Sequence, residues 1–129
     1  MTTGVEIVNQ ALEMLKEGDF ESYETLLDEN MYFKMTGNTP LSGEAHSKTE
    51  FLATVGRVMD YLKDPIKLEL KEIIDGGDTI VSISTGSSTT KKGEAYNNEY
   101  CHVWKVKNNK IVSLIEYLDT QMLSEMLNE

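Results

Sequence analysis

The hydrophobic period of this chain changes at Pro65, and that change limits the folds it can adopt. Before Pro65, apolar residues recur every three or four positions, as they do along one face of a helix. From Ile66 onward they alternate with polar residues, as they do along a half-buried strand. The chain is therefore predicted to form helices first and antiparallel strands second, which is the α+β class with the helices on one face of the sheet.

Three helices are expected before Pro65. Thr3 with Glu6, and Ser47 with Glu50, have the spacing of capping boxes, and Asp19 is placed to cap a second helix after the stop signal of Gly18. The predicted segments are helices at residues 3–18, 19–30 and 47–64, with a strand at 31–35 and a loop at 37–43 between the second and third helices.

Four antiparallel strands are expected after Pro65, followed by a short terminal helix that Asp119 or Thr120 would cap. Long strands joined by tight turns twist and curl, and helices packed on the concave side of such a sheet leave a gap of the kind that binds small ligands. The sequence therefore predicts a pocket. The predicted strands are at residues 66–74, 79–90, 96–106 and 111–119, with turns at 75–78, 91–94 and 108–109.

Composition excludes several classes of function. A chain of 129 residues fits a single domain, residues 1–129, and its one cysteine, Cys101, excludes an internal disulfide and a cysteine-rich zinc site. His46 and His102 form no ligand spacing with Cys101, so neither a metal nor another cofactor is expected. A net charge of -10 argues against nucleic-acid binding. No apolar run approaches the length of a membrane span and no basic, then apolar leader opens the chain, so we expect a cytoplasmic protein that does not bind membranes.

Several short segments, in this order of elements, resemble a known family. They are Thr39-Pro40-Leu41-Ser42-Gly43 before the third helix, Asn98-Glu99-Tyr100, Asn109-Lys110-Ile111-Val112 and Glu116-Tyr117-Leu118-Asp119. Together they resemble the SnoaL-like branch of the NTF2-like superfamily over nearly the whole chain. The resemblance implies an NTF2-like cone, a strongly curved and mostly antiparallel sheet with three main helices on its concave side, and a homodimer. It does not imply one activity, because the superfamily includes ketosteroid isomerases, polyketide cyclases, limonene epoxide hydrolases, scytalone dehydratases and non-enzymes.

Two activities of the superfamily lack their residues in this chain. The aspartate base of ketosteroid isomerases falls on Lys34, and their oxyanion-binding tyrosine falls near Ala11. For the epoxide hydrolases, Glu116 and Tyr32 match the motif, but the predicted strand at residues 79–90 contains no acidic or basic side chain. The resemblance thus argues against both of these mechanisms.

The resemblance also orients the last two strands. It implies that Glu116, with Leu114 and Leu118, faces the cavity, whereas alternation alone leaves Ile115 and Tyr117 as equally good core residues. The matching face of the preceding strand carries four side chains: Asn98, Tyr100, His102 and Trp104.

Glu116 and His102 are the candidate catalytic residues. An ionised carboxylate between leucines is costly unless it is paired or protonated, and a histidine exchanges a proton near neutral pH, so the two residues suit acid–base catalysis. Both also have a structural interpretation, in which Lys34 or a pocket tyrosine pairs with Glu116 and His102 is a hydrogen-bonded core residue. His46, in a predicted loop, is a weaker candidate.

The remaining candidates are predicted to bind a ligand. Asn98 and Tyr100 could hold a carbonyl or enolate oxygen, or could satisfy each other. Tyr32 and Lys34 share one face of the first strand and could bind an anionic group, or lie in solvent at the rim. The apolar lining is predicted to include Met59, Trp104 and Leu118.

The sequence therefore predicts a protein that binds a small, largely apolar molecule with one or two polar groups. Such a protein could transfer a proton on that molecule, as an isomerase or cyclase does. The alternative is a non-catalytic binding or interaction module in which Glu116 and His102 are structural.

Overall fold

The computed structural model describes residues 2–128, which form four helices and one six-stranded sheet. The helices are α1 (Gly4–Glu17), α2 (Phe20–Thr25), α3 (Lys48–Met59) and α4 (Thr120–Leu127). The strands are β1 (Leu27–Met35), β2 (Gly43–Ala45), β3 (Lys67–Asp75), β4 (Thr79–Thr89), β5 (Ala95–Lys107) and β6 (Lys110–Leu118).

The predicted caps begin the helices. Thr3 accepts a hydrogen bond from the backbone of Glu6 at the start of α1, and Ser47 accepts one from Glu50 at the start of α3. Asp19 caps α2, and Asp119 caps α4 through the backbone of Met122. Helix α1 ends at Gly18, whose positive φ of 73° is the left-handed conformation that glycine adopts without steric cost.

The sheet is curved, with strand order β2-β1-β6-β5-β4-β3, and only β1 and β6 are parallel. Strands β3 to β6 pair antiparallel with their neighbours in sequence. Helix α1 packs against β3, β4 and β5, and α3 packs against β1. The predicted α+β class, with helices covering one face of a curved, mostly antiparallel sheet, is confirmed.

The region between α1 and α3 differs from the prediction in three places. Strand β1 begins at Leu27, so the second helix is shorter than predicted, because Leu27 is buried against Ile111 in the parallel β1–β6 pair. Strand β2 begins at the end of the predicted loop, before α3, and pairs with the end of β1. Helix α3 ends at Met59, and Leu62 then forms an isolated bridge to Thr90. In each case a long-range backbone pairing determines the conformation.

Strand β3 contains an irregularity that interrupts its alternation. The register with β4 shifts between Leu70 and Glu72, so Ile73 turns inward against the core and Ile74 is left exposed. The alternation along β3 is therefore offset by one residue at this bulge, so the residues that face the helices do not form one continuous series of alternate positions.

No helix among residues 2–128 is long and apolar enough to cross a membrane.

Candidate functional site

The site is built on the inner faces of β5 and β6. Alternation along β5 directs Tyr96, Asn98, Tyr100, His102 and Trp104 inward, and all five side chains are buried. The antiparallel register places Glu116 of β6 directly opposite His102. Residues directly opposite in such a pair have neighbouring side chains, so the sheet itself brings the histidine and the carboxylate together.

His102 and Glu116 form a hydrogen-bonded pair. Nε2 of His102 lies 2.8 Å from Oε2 of Glu116, and the two side chains are 7% and 17% exposed. Oε1 of Glu116 has no hydrogen-bond partner within residues 2–128, and Nδ1 of His102 is buried without one. The pair therefore has an unused acceptor or donor at each end.

Aromatic side chains fix the orientation of the imidazole. The ring of Tyr100 stacks on His102 at a centroid distance of 5.5 Å and an angle of 8°. On the other side Trp104 lies 5.6 Å from His102, and its indole N–H donates to Oγ of Ser82 at 2.9 Å. The backbone carbonyl of Glu116 is held by the amide and the hydroxyl of Thr36. Both members of the pair are thus held at defined positions.

The pair lines a cavity of about 150 Å³ between the sheet and the helices. Helix α3 supplies Phe51, Val55 and Met59, and α2 supplies Tyr23. The wall is mostly apolar, and its polar side chains are few: Tyr23, Thr54, Tyr96, Tyr100, His102 and Glu116. An apolar wall with a few convergent polar groups is typical of small-molecule sites.

Three tyrosine hydroxyls near Glu116 keep their protons. Burial, and then the charge of Glu116, raise the pKa of Tyr23 above the ordinary 10.0. Burial is also the main reason that the pKa of Tyr100 is raised, followed by the nearby Tyr96 and Glu116. Burial raises the pKa of Tyr96 as well, against the opposing effect of hydrogen bonds from Asn98 and Tyr100. All three are donors at neutral pH.

Six of the nine predicted site residues lie together around this cavity. They are Met59, Tyr100, His102, Trp104, Glu116 and Leu118. The partner that the sequence left open for Glu116 is His102, and neither Lys34 nor a tyrosine forms a hydrogen bond with it.

Tyr32 and Lys34 lie outside the cavity. The inward residues of β1 are Met31, Phe33 and Met35, so period-2 alternation directs Tyr32 and Lys34 to the opposite face of the sheet. There the hydroxyl of Tyr32 donates to Glu44 of β2 at 2.6 Å, and Lys34 is exposed. The two side chains share one face of β1, as predicted, but this face is turned away from the cavity, so they do not line it.

Asn98 is buried but is not part of the cavity lining. Its amide nitrogen donates to the hydroxyl of Tyr96 at 2.9 Å and to the carbonyl of Asp119 at 3.1 Å. Its amide oxygen accepts from the backbone of Glu99 and of Asp119. The side chain joins β5 to the start of α4, and both polar atoms of its amide form their hydrogen bonds within the protein.

Two polar residues of the cavity were missed from the sequence. Tyr96 belongs to the same alternating series as Asn98 and Tyr100, so extending that series by one step would have found it. Tyr23 falls on the apolar stripe of the helix predicted at residues 19–30, where no local pattern distinguishes a tyrosine whose hydroxyl enters a cavity from one that only fills the core. Only the packing of α2 over the sheet brings it near Glu116.

Among residues 2–128, no group of three His, Cys, Asp or Glu side chains is arranged to hold a metal ion.

The fold and the cavity define a class of small α+β domains in which helices close the concave side of a curved sheet. The model of the SnoaL-like domain family matches residues 8–114. The chain belongs to this SnoaL-like family of the NTF2-like superfamily, which confirms the resemblance found in the sequence.

Solved structures share the fold at low sequence identity. An NTF2-like protein from Burkholderia thailandensis is 23% identical, with a TM-score of 0.86 and 98% of both chains covered. TerC, crystallised with polyporic acid, is 18% identical, with a TM-score of 0.83 and 97% of this chain and 98% of TerC covered. A candidate isomerase from Bacillus subtilis is 16% identical, with a TM-score of 0.80, 96% of this chain and 91% of that chain covered. No curated protein sequence matches the chain.

Proposed function

We propose that this protein binds a small, largely apolar molecule in the cavity and transfers a proton on it, as an isomerase or a cyclase does. The observation that supports the proposal is the His102–Glu116 pair, 2.8 Å apart, in the wall of an otherwise apolar cavity. A carboxylate hydrogen bonded to an imidazole is a common acid–base arrangement, and water exclusion strengthens its electrostatic effect on a ligand.

The size of the cavity limits the ligand. A cavity of about 150 Å³ accepts a molecule of about the size of benzene. The hydroxyl of Tyr23 would donate to a ligand oxygen on which negative charge develops. The hydroxyl of Tyr96 would do the same, because it accepts hydrogen bonds from Asn98 and Tyr100 and its own proton remains free. The ligand class is therefore a single-ring or similarly small carbonyl or phenolic compound.

The relatives agree with this class of function without identifying it. TerC was crystallised with polyporic acid, and the Bacillus subtilis relative is a candidate isomerase. A different function is also proposed, in which the domain binds a ligand or a protein without catalysis. The observation in its favour is that His102 and Glu116 are hydrogen bonded to one another in the absence of a ligand, as a structural pair would be.

The experiment is a screen followed by one substitution. Single-ring ketones, enones and phenols are screened by thermal shift, and the ketones are then incubated in D₂O while deuterium incorporation at the α-carbon is followed by NMR. We expect the wild-type protein to bind some of them and to accelerate the exchange. Glu116→Gln keeps the shape of the side chain and removes its basic oxygen, so it should bind with similar affinity, without pH dependence, and lose the acceleration.

The control is Glu99→Gln, which removes an exposed carboxylate from the same sheet and should exchange at the wild-type rate. Binding without exchange in the wild type would favour the non-catalytic function. A large loss of stability in Glu116→Gln, with ligand binding of the remaining folded protein unaltered, would show that Glu116 is structural.

A further inference from the structure

Two buried polar atoms among residues 2–128 have no hydrogen-bond partner, and both lie on the inner face of the sheet. They are Nδ1 of His102 and Oγ of Ser84. His102 is 6% exposed and Ser84 is 1% exposed. An unpartnered polar atom at such depth is rare and costs stability, so the occurrence of two on adjacent strands requires an explanation.

The strand register relates these two residues to each other. Ser82 lies opposite His102 on β5, and its Oγ accepts a hydrogen bond from Trp104, two residues further along β5. Ser84 lies opposite Tyr100, and the residue two further along β5 is His102. Ser84 and His102 are therefore diagonal neighbours across β4 and β5, in the same register relation as Ser82 and Trp104. Side chains can span such a diagonal.

Neither residue that lies directly opposite Ser84 forms a hydrogen bond with its hydroxyl, which has no partner within residues 2–128. Its cross-strand neighbours on the inner face are Leu70 of β3 and the ring of Tyr100. A rotation of the serine side chain between staggered conformations, which is inexpensive, redirects its hydroxyl along the strand toward His102.

We propose that the hydroxyl of Ser84 donates a hydrogen bond to Nδ1 of His102 and holds the imidazole in its neutral form with the proton on Nε2. That Nε2–H then donates to Oε2 of Glu116, which is left ionised, with Oε1 unpartnered within residues 2–128. Ser84 is a positioning residue, because it acts through His102 and is not part of the cavity lining.

The hydrogen-bonded series Ser84–His102–Glu116 determines that the proton moves from the ligand to Glu116. Glu116 begins as a base, so the ligand must carry an acidic C–H or O–H bond. When that bond breaks, its proton forms an O–H bond on Glu116, and the electron pair remains on the ligand, where its polar group carries the negative charge. This last step rests on the proposed function, whereas the hydrogen bond from Ser84 and the position of the proton on His102 do not.

The hydrogen bond is tested by ¹⁵N NMR of the histidine rings, without any ligand. The chain has two histidines, and His46→Gln leaves only the signals of His102. We expect a protonated Nε2 and an Nδ1 resonance displaced upfield from that of a free acceptor, as hydrogen bonding requires. Ser84→Ala should return Nδ1 to the free-acceptor position. Thr85→Ala removes the hydroxyl of the next residue of the same strand, which lies opposite the exposed Glu99 on the outer face, and this control should leave Nδ1 unchanged.

Thermal unfolding gives a second, independent measurement. Removal of a bonded hydroxyl lowers the unfolding temperature, whereas removal of an unpartnered buried hydroxyl raises it. Ser84→Cys, of similar volume, replaces Ser84→Ala in both measurements if the alanine variant does not fold. The proposal is overturned if the proton resides on Nδ1, if His102 is doubly protonated at neutral pH, if Nδ1 is unaffected by Ser84→Ala, or if that variant unfolds at a higher temperature. Loss of α-carbon exchange in the previous experiment, with these NMR results intact, would overturn the catalytic function alone.

Discussion

At the scale of single residues, Asn98 shows how a buried amide can be structural although it lies in a row of site residues. Its four hydrogen bonds connect Tyr96, Glu99 and Asp119, and thereby hold the end of β6 to β5. Truncation would remove these bonds and leave the backbone groups of Asp119 without this partner.

We expect Asn98→Ala to lower the free energy of unfolding by about 2–3 kcal/mol, since it leaves several buried polar groups unsatisfied. Asn97→Ala changes an exposed neighbour on the same strand and should stay within about 0.5 kcal/mol of the wild type. Urea denaturation of the two variants measures both values. Equal stabilities would contradict the structural role of Asn98.

The buried tyrosines make stability depend on alkaline pH. The pKa values of Tyr23 and Tyr100 are raised in the folded state, chiefly by burial, above the ordinary 10.0 of the unfolded chain. Their contribution to stability is complete below pH 10 and decreases as the pH rises above it, because the unfolded state then loses protons that the folded state retains.

We therefore expect part of the tyrosine absorbance change in an alkaline titration to coincide with unfolding. Tyr23 and Tyr100 should ionise only as circular dichroism reports unfolding. Tyr23→Phe removes one of the buried groups and should shift the alkaline unfolding midpoint to higher pH. A midpoint unchanged by this substitution would contradict the raised pKa of Tyr23.

At the scale of elements, the turn between β5 and β6 and a register shift beside it set the register of the site. Asn108 and Asn109 both have positive φ, 52° and 62°, as a two-residue type I′ hairpin requires. The register then shifts between Lys105 and Val106. The pairing of His102 with Glu116 depends on both features, because a slip by one residue would send either side chain to the other face.

Single substitutions in this turn should raise or lower the free energy of unfolding. Asn109→Gly should raise the free energy of unfolding slightly, because glycine adopts positive φ without steric cost. Asn109→Ala should lower it by about 1 kcal/mol, because an ordinary side chain is strained in that conformation. Thermal unfolding compares the two variants, and the opposite order would contradict the turn.

At the scale of the whole molecule, the outer face of the sheet carries an uncovered apolar patch on β4, β5 and β6. Val81, Val103 and Ile115 form one row across β4, β5 and β6, and Ile83, Cys101 and Tyr117 form the next. Ile83 and Tyr117 are 38% and 48% exposed. The two rows contain no charge in a chain of net charge -10, so two copies meeting through them would not oppose their acidic groups there.

We propose that this outer face forms the homodimer expected from the sequence. An interface of two such faces is self-complementary, and a stable one buries about 800 Å² of each partner. Sedimentation should detect a dimer in the wild type and a monomer in Tyr117→Lys. Leu70→Lys, which alters a similarly exposed apolar residue (42%) on the other face of the sheet, should remain dimeric. A wild-type monomer at high concentration would refute the interface.

Local patterns were sufficient for much of this protein. The capping boxes at Thr3 and Ser47, the change of period after Pro65 and the strict alternation of β5 are short-range signals, and each predicted its element. The inner face of β5 follows from the same alternation, so Tyr100, His102 and Trp104 could be assigned together once one of them was oriented.

Tertiary structure decided what alternation leaves open. Met31, Phe33 and Met35 are buried, and Tyr32 and Lys34 lie on the opposite face of the sheet, because β1 pairs in parallel with a strand about 80 residues further along the chain. Leu27 and the residues of β2 also adopt strand conformation because of tertiary pairing: Leu27 pairs with β6, and β2 pairs with β1. The partner of Glu116 was also undetermined, since it depends on the register of β6 against β5. Such pairings are set by the total burial of the assembled sheet, which no single segment encodes.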